Sequence, residues 1–166
     1  MSIIIPVAVS FLMLIADQIT KMAVVSYFGD SGKIVPIIKG VLSFCFVENN
    51  GAGFSIFAGN TVFLLVFTAI AMALVVYMMV TKKFKSSLTD WGFCLILSGG
   101  LGNFLDRVFR GGLVVDFIKT DFIDFPIFNV ADICVTVGAG FLILYFLLDT
   151  LKDLKSQKGS SEDGQA

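Results

Sequence analysis

The stretch from Thr61 to Val80, TVFLLVFTAIAMALVVYMMV, contains no charged side chain. A helix of this length extends about 30 Å, which is the thickness of the hydrocarbon core of a bilayer. The whole chain has the same character, because 57% of its 166 residues are hydrophobic and only 15% are charged, whereas about 25% are charged in soluble domains. The composition therefore predicts an integral membrane protein.

Three further apolar runs predict three more membrane-spanning helices. They lie at residues 3–25, 88–105 and 128–148. Pro126 precedes the last run, and proline is tolerated at the start of a helix because its missing N–H would have no partner there. The expected fold class is an all-α integral membrane protein with four transmembrane helices.

The connector between the first two runs predicts a small β-ribbon or sheet. Lys33–Ile38 and Val41–Val47 are interpreted as strands, with Lys39-Gly40 as the turn. The second segment has the period-two alternation of a half-buried strand. A lone two-stranded ribbon is marginally stable, so we expect it to rest on the membrane or on the helices. The second connector, Val108–Phe125, is interpreted as a loop.

Two lysine clusters predict the orientation. Between the second and third runs, and after the fourth, lie Lys82, Lys83, Lys85, Lys152, Lys155 and Lys158. Positive loops face the cytoplasm, so both chain termini are expected there and both long connectors on the extracytoplasmic side. Residues 1–155 are expected to form a single four-helix domain. The polar segment 156–166 is expected to be a disordered cytoplasmic tail.

The residues that are absent exclude several kinds of chemistry. The chain has no histidine, so Ser-His-Asp, Cys-His and HExxH sites are impossible. Cys45, Cys94 and Cys134 are far apart and form no CxxC pair, so no metal site or cofactor is predicted. The net charge of -1, with no basic face, gives no indication of nucleic-acid binding.

Asp116 and Asp132 are the best candidates for chemistry. A carboxylate at the edge of a bilayer is costly unless it has a partner or a function, and two that meet can share a proton and activate water. Along one continuous helix they would be about 24 Å apart, but Pro126 argues against such a helix. Asn129 and Asp132 have an alternative interpretation as a helix cap.

Other polar residues are open to two interpretations. Asp17 and Lys21, at i and i+4, either neutralise each other inside the bundle or support a nearby site. Asn103, Asp106 and Arg107 share one helix face. There Arg107 is interpreted either as an interfacial anchor or as a partner for a carboxylate. Two rival carboxylates in the second connector, Asp121 and Asp124, are interpreted as solvated loop residues.

Five short motifs occur along the chain in the order and spacing of one family. They are Asp17-Gln18-Ile19-Thr20-Lys21, Asn49-Asn50-Gly51-Ala52-Gly53-Phe54-Ser55, the segment 99–108 (GGLGNFLDRV), Val114-Val115-Asp116-Phe117-Ile118 and Phe128-Asn129-Val130-Ala131-Asp132. The segment 99–108 is similar to a GG-x-x-GN-x-x-DR box. Gly53 departs from the family's usual alanine. On these motifs the chain resembles the lipoprotein signal peptidase family (signal peptidase II, prolipoprotein signal peptidase).

The resemblance implies an aspartyl endopeptidase of the bacterial inner membrane with its active site near the extracytoplasmic face. Such enzymes cut diacylglyceryl prolipoproteins just before the lipidated cysteine, need no cofactor or metal, and bind the cyclic peptide globomycin. The catalytic pair then falls on Asp116 and Asp132. The supporting or ligand-binding residues fall on Asp17, Lys21, Asn49, Asn103, Arg107 and Asn129. A monomer in contact with membrane lipid is expected.

Two alternatives of other classes remain. In a small proton-coupled transporter, Asp17, Asp116 and Asp132 would relay ions. In a non-catalytic membrane scaffold, all of these polar groups would be structural. Under the peptidase interpretation one aspartate is ionised and activates water while the other is protonated. The sequence leaves open which is which.

Overall fold

The computed structural model describes residues 3–29, 31–53 and 56–163, with side chains as far as residue 157. Phe54 and Ser55 of the second motif lie outside the described residues. The elements, in chain order, are α1 (Ile4–Phe28), β1 (Val35–Ile38), β2 (Leu42–Asn49), α2 (Thr61–Val80), α3 (Ser87–Phe109), β3 (Val114–Thr120) and α4 (Val130–Asp163).

Three of these helices are long and apolar enough to cross a membrane. In the described part of the chain they are α1, α2 and the segment Val130–Gln157 of α4. The predicted spans are confirmed for these three. Helix α3, with 23 residues, has the length of a span but carries several buried polar side chains. It is therefore not among the helices that are apolar enough to cross a membrane. A fourth span therefore stays a prediction.

Helix α3 lies at the centre of the helices and packs against α1, α2 and α4. Two of its glycines allow the closest approaches. A Cβ on Gly99 would collide with the carbonyl oxygen of Ala131, and a Cβ on Gly102 would lie 2.6 Å from Oδ2 of Asp17. Helix α2 is the most peripheral, because Leu64 is its one buried residue.

The extramembrane part is a three-stranded antiparallel sheet in the order β1-β2-β3. The predicted ribbon is present as β1 and β2, but interpreting Val108–Phe125 as a loop was wrong, because it contains β3. The residues of β3 from Val114 to Ile118 are all buried. A strand buried on both faces lacks the alternation by which strands are recognised. Asn49 pairs with Val114, and Val47 pairs with Asp116.

The sheet covers the end of α1. Val24 and Phe28 of α1 form one buried apolar cluster with Val115, Phe117 and Ile118 of β3. This cluster supports the ribbon that would be marginal alone. It also fixes β3, and therefore Asp116, relative to α1.

Both ends of α4 differ from expectation. Phe128 is not helical, but pairs with Ile118 in an isolated β-bridge, so the helix begins at Val130. At the other end the helix continues to Asp163, so residues 156–163 of the expected disordered tail are helical. The segment LKDLKSQ at 151–157 contains no proline or glycine, so nothing ends the helix where the apolar run ends.

Candidate active site

Asp116 and Asp132 come together through one residue, Asn129. Asn129 Nδ2 donates to Oδ1 of Asp116 at 2.6 Å, and the backbone N–H of Asn129 donates to Oδ2 of Asp132 at 3.0 Å. Asp116 lies on β3 and Asp132 in the first turn of α4. The segment between them folds back because residues 126–129 return along β3, as the hydrogen bond from Phe128 N to Ile118 O shows.

Two further asparagines complete the contacts of the pair. Asn49 Nδ2 donates to Oδ2 of Asp116 at 2.9 Å, and Asn103 Nδ2 donates to Oδ1 of Asp132 at 2.8 Å. Each of the four carboxylate oxygens therefore accepts an N–H donor. The donors hold both carboxyl groups in fixed orientations, and each of them favours the ionised form.

The helix-cap interpretation of Asn129 and Asp132 is confirmed. The Asp132 N–H donates to Oδ1 of Asn129 at 3.0 Å, and the Asn129 N–H donates back to the Asp132 carboxylate. This reciprocal arrangement is a capping box at the start of α4. The cap does not exclude a second role, because the Asn129 amide nitrogen donates to Asp116, and also to Asn103 Oδ1 and the Val115 carbonyl oxygen.

A buried ion cluster lies beside the pair. The Lys21 side chain is fully buried, with its Nζ 3.0 Å from Oδ2 of Asp17 and 3.0 Å from Oδ2 of Asp106. The predicted neutralisation of Asp17 by Lys21 is confirmed, and it extends to a second carboxylate. Lys21 Nζ also donates to Oδ1 of Asn103 at 2.9 Å. A single side chain therefore separates the ammonium group from Asp132.

Asp106 takes a larger part than the sequence indicated. Its Oδ2 also accepts the N–H of Val115 at 3.1 Å, and its Oδ1 pairs with Nε of Arg110 at 3.2 Å. Asp106 thus connects α3 to the residue that precedes Asp116. The i,i+4 spacing of Asp106 and Arg110 was a usable signal for the second of these contacts. Asp17 similarly binds the start of α4, through the Ala131 N–H at 2.9 Å.

Arg107 does not pair with a carboxylate within the described ranges. It donates to the carbonyl oxygen of Gly51 at 2.7 Å and to that of Asn103 at 3.3 Å. Its role here is to hold the loop after β2 against α3. The Nε of Arg107 is buried and has no hydrogen-bond partner.

A cavity of about 830 Å³ opens at the pair. Its polar end is lined by Asn49, Asn103, Arg107, Asp116 and Asp132. Its apolar end lies between α2 and α4, where Phe67, Ala71, Met72, Ile133 and Val137 contribute. The rival carboxylates Asp121 and Asp124 are not among its lining residues. Asp121 instead accepts from Ser43 and Lys119.

The surroundings at the polar end of the cavity raise the pKa of one carboxyl group toward neutral pH. Burial raises the pKa of Asp116 to about 6. The hydrogen bond from Asn49 opposes this rise, and the neighbouring Asp132 carboxylate adds to it. Such a group can hold or release a proton during a reaction. In the described residues, no three Asp, Glu or Cys side chains are grouped to hold a metal ion.

Comparisons with known proteins agree with one another. A family model described as Signal peptidase (SPase) II matches residues 9–148. A lipoprotein signal peptidase of Lactobacillus johnsonii is 40% identical over 147 residues, which are 87% of this chain and 93% of that protein. A lipoprotein signal peptidase of Lactococcus lactis subsp. cremoris is 43% identical over 144 residues, which are 86% of this chain and 91% of that protein.

A solved structure extends the similarity to three dimensions. It is titled a bacterial membrane enzyme, and it aligns with a TM-score of 0.80 at 33% identity, covering 87% of this chain and 88% of that one. Sequence and fold thus match over the same large part of the chain. On these grounds the chain belongs to the signal peptidase II family.

Proposed function

We propose that this protein is a membrane aspartyl endopeptidase that removes the signal peptide from diacylglyceryl-modified prolipoproteins, cutting just before the lipidated cysteine. The observation that carries the proposal is the meeting of Asp116 and Asp132, through Asn129, at the head of an apolar cavity. Family membership supplies the class of substrate. The geometry supports the choice of Asp116 and Asp132 as the catalytic pair.

In the proposed mechanism one aspartate is ionised and the other protonated, because two neighbouring carboxylates do not readily both ionise. A water between them gives a proton to the ionised member and attacks the scissile carbonyl carbon. The protonated member hydrogen-bonds the oxygen on which negative charge develops, and the leaving amine then takes a proton. Asn49, Asn103 and Asn129 hold the two carboxyl groups for this step.

The apolar end of the cavity suits the other half of the substrate. A signal peptide is apolar, and the groove between α2 and α4 offers it an apolar lining. The diacylglyceryl group holds the scissile bond near the membrane surface, because each buried CH₂ stabilises its insertion by about 0.8 kcal/mol. Arg107, with its unpartnered buried Nε, is available to a backbone carbonyl of the substrate or of globomycin.

We infer that α3 is the fourth span. Its polar side chains Asn103, Asp106 and Arg107 contact other protein groups rather than lipid. The neighbouring helices α1, α2 and α4 surround it, so it needs less apolar surface than a helix in contact with lipid. With four spans both termini lie on one side of the membrane, and the lysine clusters favour the cytoplasmic side of the bacterial inner membrane, with the sheet outside. The enzyme is proposed to act as a monomer.

The test is cleavage of a diacylglyceryl prolipoprotein by purified protein, with and without globomycin. Asp116→Asn and Asp132→Asn keep the side-chain shape but remove the titrating proton, so each is expected to lower the rate by at least about a thousandfold. Asp121→Asn, outside the cavity, serves as the matched control and is expected to cleave at the wild-type rate.

Thermal unfolding of each variant shows whether its fold is kept. Activity that survives in a folded Asp116 or Asp132 variant would remove that residue from the mechanism. Absence of cleavage by folded wild type, together with ion flux in proteoliposomes, would favour the transporter instead.

A further inference from the structure

The contact between Lys21 and Asn103 fixes which way the Asn103 amide points. An ammonium group has three donors and no acceptor, so the Asn103 atom that faces it, at 2.9 Å, has to be the oxygen. The amide nitrogen is then directed to Oδ1 of Asp132, at 2.8 Å. Lys21 therefore orients a donor toward one member of the pair and touches neither member itself.

The donors on the two aspartates differ in kind. Asp132 accepts from an amide that is polarised by an ammonium group and from a backbone N–H at the start of α4. The partial positive charge of a helix N-terminus and charge-assisted hydrogen bonds both favour an ionised carboxyl. Asp116 accepts from the Asn49 amide, whose oxygen is bound by the neutral N–H of Gly51, and from the Asn129 amide. Its surroundings supply no comparable positive charge by direct contact.

We propose that Lys21 is a positioning residue that, by orienting Asn103, keeps Asp132 the ionised member of the pair and leaves the shared proton on Asp116. This inference rests on the proposed function and assigns the two roles that it leaves open. The raised pKa of Asp116 agrees with the assignment.

In this assignment every proton that is transferred during the reaction is returned by its end. The water oxygen forms a bond to the carbonyl carbon while one water proton moves to Asp132, and the Asp116 proton moves to the carbonyl oxygen. As the C–N bond breaks, Asp132 gives its proton to the leaving nitrogen, and one hydroxyl proton of the intermediate returns to Asp116. One water is consumed, and both aspartates regain their starting states.

Several other charged or titratable groups face the pair, and they enter its titration equally in the variants below. They are Asp17 and Lys21 on α1, Cys45 and Glu48 on β2, Asp106 and Arg107 on α3, and Cys134 on α4. Helix α2, all of whose residues the structure describes, carries no charged residue. Variants that replace only neutral asparagines leave all of these charges in place.

The test compares the pH dependence of kcat/KM for wild type, Asn103→Leu and Asn49→Leu, with a synthetic diacylglyceryl peptide as substrate. Both substitutions keep the branched shape of the side chain and remove its amide donor. They also remove the amide oxygen, which accepts from Lys21 and Asn129 in Asn103 and from the Gly51 N–H in Asn49. If only the form with ionised Asp132 and protonated Asp116 is active, losing the donor to Asp132 moves the acidic limb to higher pH. Losing the donor to Asp116 moves the basic limb to higher pH instead. We expect each shift to be about one pH unit or more, with the other limb unmoved.

Asn60→Leu, an exposed position at the start of α2, is the control for the substitution and is expected to move neither limb. A merely structural role for Asn103 would lower the rate without moving a limb, which would overturn the proposal. The proposal would also be overturned if Asn103→Leu moved the basic limb and Asn49→Leu the acidic limb, or if one variant moved both limbs. Absence of cleavage by wild type would contradict the proposed function and is thereby distinguished from failure of this inference.

A second measurement does not depend on the activity of the variants. Carbon-13 NMR of aspartate-labelled wild type follows the two carboxyl carbons, and the Asp116→Asn and Asp132→Asn spectra identify them. On raising the pH, we expect Asp132 to lose its proton first and the singly protonated state to carry its proton on Asp116. The reverse order would overturn the assignment.

Discussion

Two groups of buried carboxylates lie side by side in this protein, and they are held in opposite ways. Asp17 and Asp106 each contact the ammonium group of Lys21, and Asp106 also contacts Arg110. Among the described residues, the carboxylates of Asp116 and Asp132 accept hydrogen bonds from asparagine amides and a backbone N–H alone. The ion-paired group connects α1, α3 and the start of α4. In the described part of the chain, the amide-bound pair has no cation in direct contact. Function is therefore expected where burial is combined with neutral donors.

The largest effect on stability is expected from Lys21→Met, which removes the cation from the ion-paired group. It leaves Asp17 and Asp106 buried without their shared partner, and such a loss destabilises a protein by about 3–5 kcal/mol. Denaturant unfolding in detergent micelles measures it. The control, Lys119→Met, removes a cation that pairs with Asp121 at the surface and should destabilise the protein far less, because solvent screens an exposed ion pair. Equal effects of the two variants would contradict the contrast between the groups.

The pair itself should make stability depend on pH. The pKa of Asp116 rises from 3.8 to about 6 in the folded protein, so the folded state binds more protons than the unfolded state between these values. Stability from this group is fully present below about pH 4 and is lost as the pH rises through about 6. At about 1.4 kcal/mol per unit, the loss approaches about 3 kcal/mol.

The difference in unfolding free energy between wild type and Asp116→Asn isolates this contribution. Measured from pH 4 to 8, the difference should decline with pH and level off above about 7. A difference that is constant over this range would show that Asp116 titrates normally.

The smallest effect concerns how closely α3 approaches the ion-paired group. Gly102→Ala adds a Cβ at 2.6 Å from Oδ2 of Asp17, and such overpacking costs about 1–3 kcal/mol. Gly140→Ala, in α4, adds a Cβ with no atom within 4 Å, and should be neutral or stabilising by up to about 1 kcal/mol. Thermal unfolding of the two variants in detergent measures the contrast. If Gly102→Ala unfolds at the same temperature as wild type, α3 does not approach Asp17 as closely as this distance requires.

The helices were predictable because their signal is local. An uncharged run such as Thr61–Val80 has no other stable state in a bilayer, and the helix matches it residue for residue. The strand β3 was not predictable in the same way. Its burial comes from β2 on one edge and from the α1 cluster, which are far away in the chain. Its apolar residues therefore carried no strand period.

The site residues also divide into features that were predictable from the sequence and features that were not. The residue types and the i,i+4 pair of Asp17 and Lys21 were visible in the sequence. The partners of Lys21 on α3 and the partners of Arg107 were not, because they depend on where α3 lies against α1 and on where the loop at Gly51 returns. A cation in a sequence indicates that some acceptor is near. Only the fold decides whether that acceptor is a carboxylate, as for Lys21, or a backbone carbonyl, as for Arg107.

The capping box at the start of α4 makes helix formation and site assembly one event. The Asn129 amide nitrogen donates to Asp116 while its oxygen accepts the Asp132 N–H in the first turn of α4. Assembly of the pair therefore depends on this turn. The turn that begins α4 also holds the two aspartates together, so fraying of that turn would separate them.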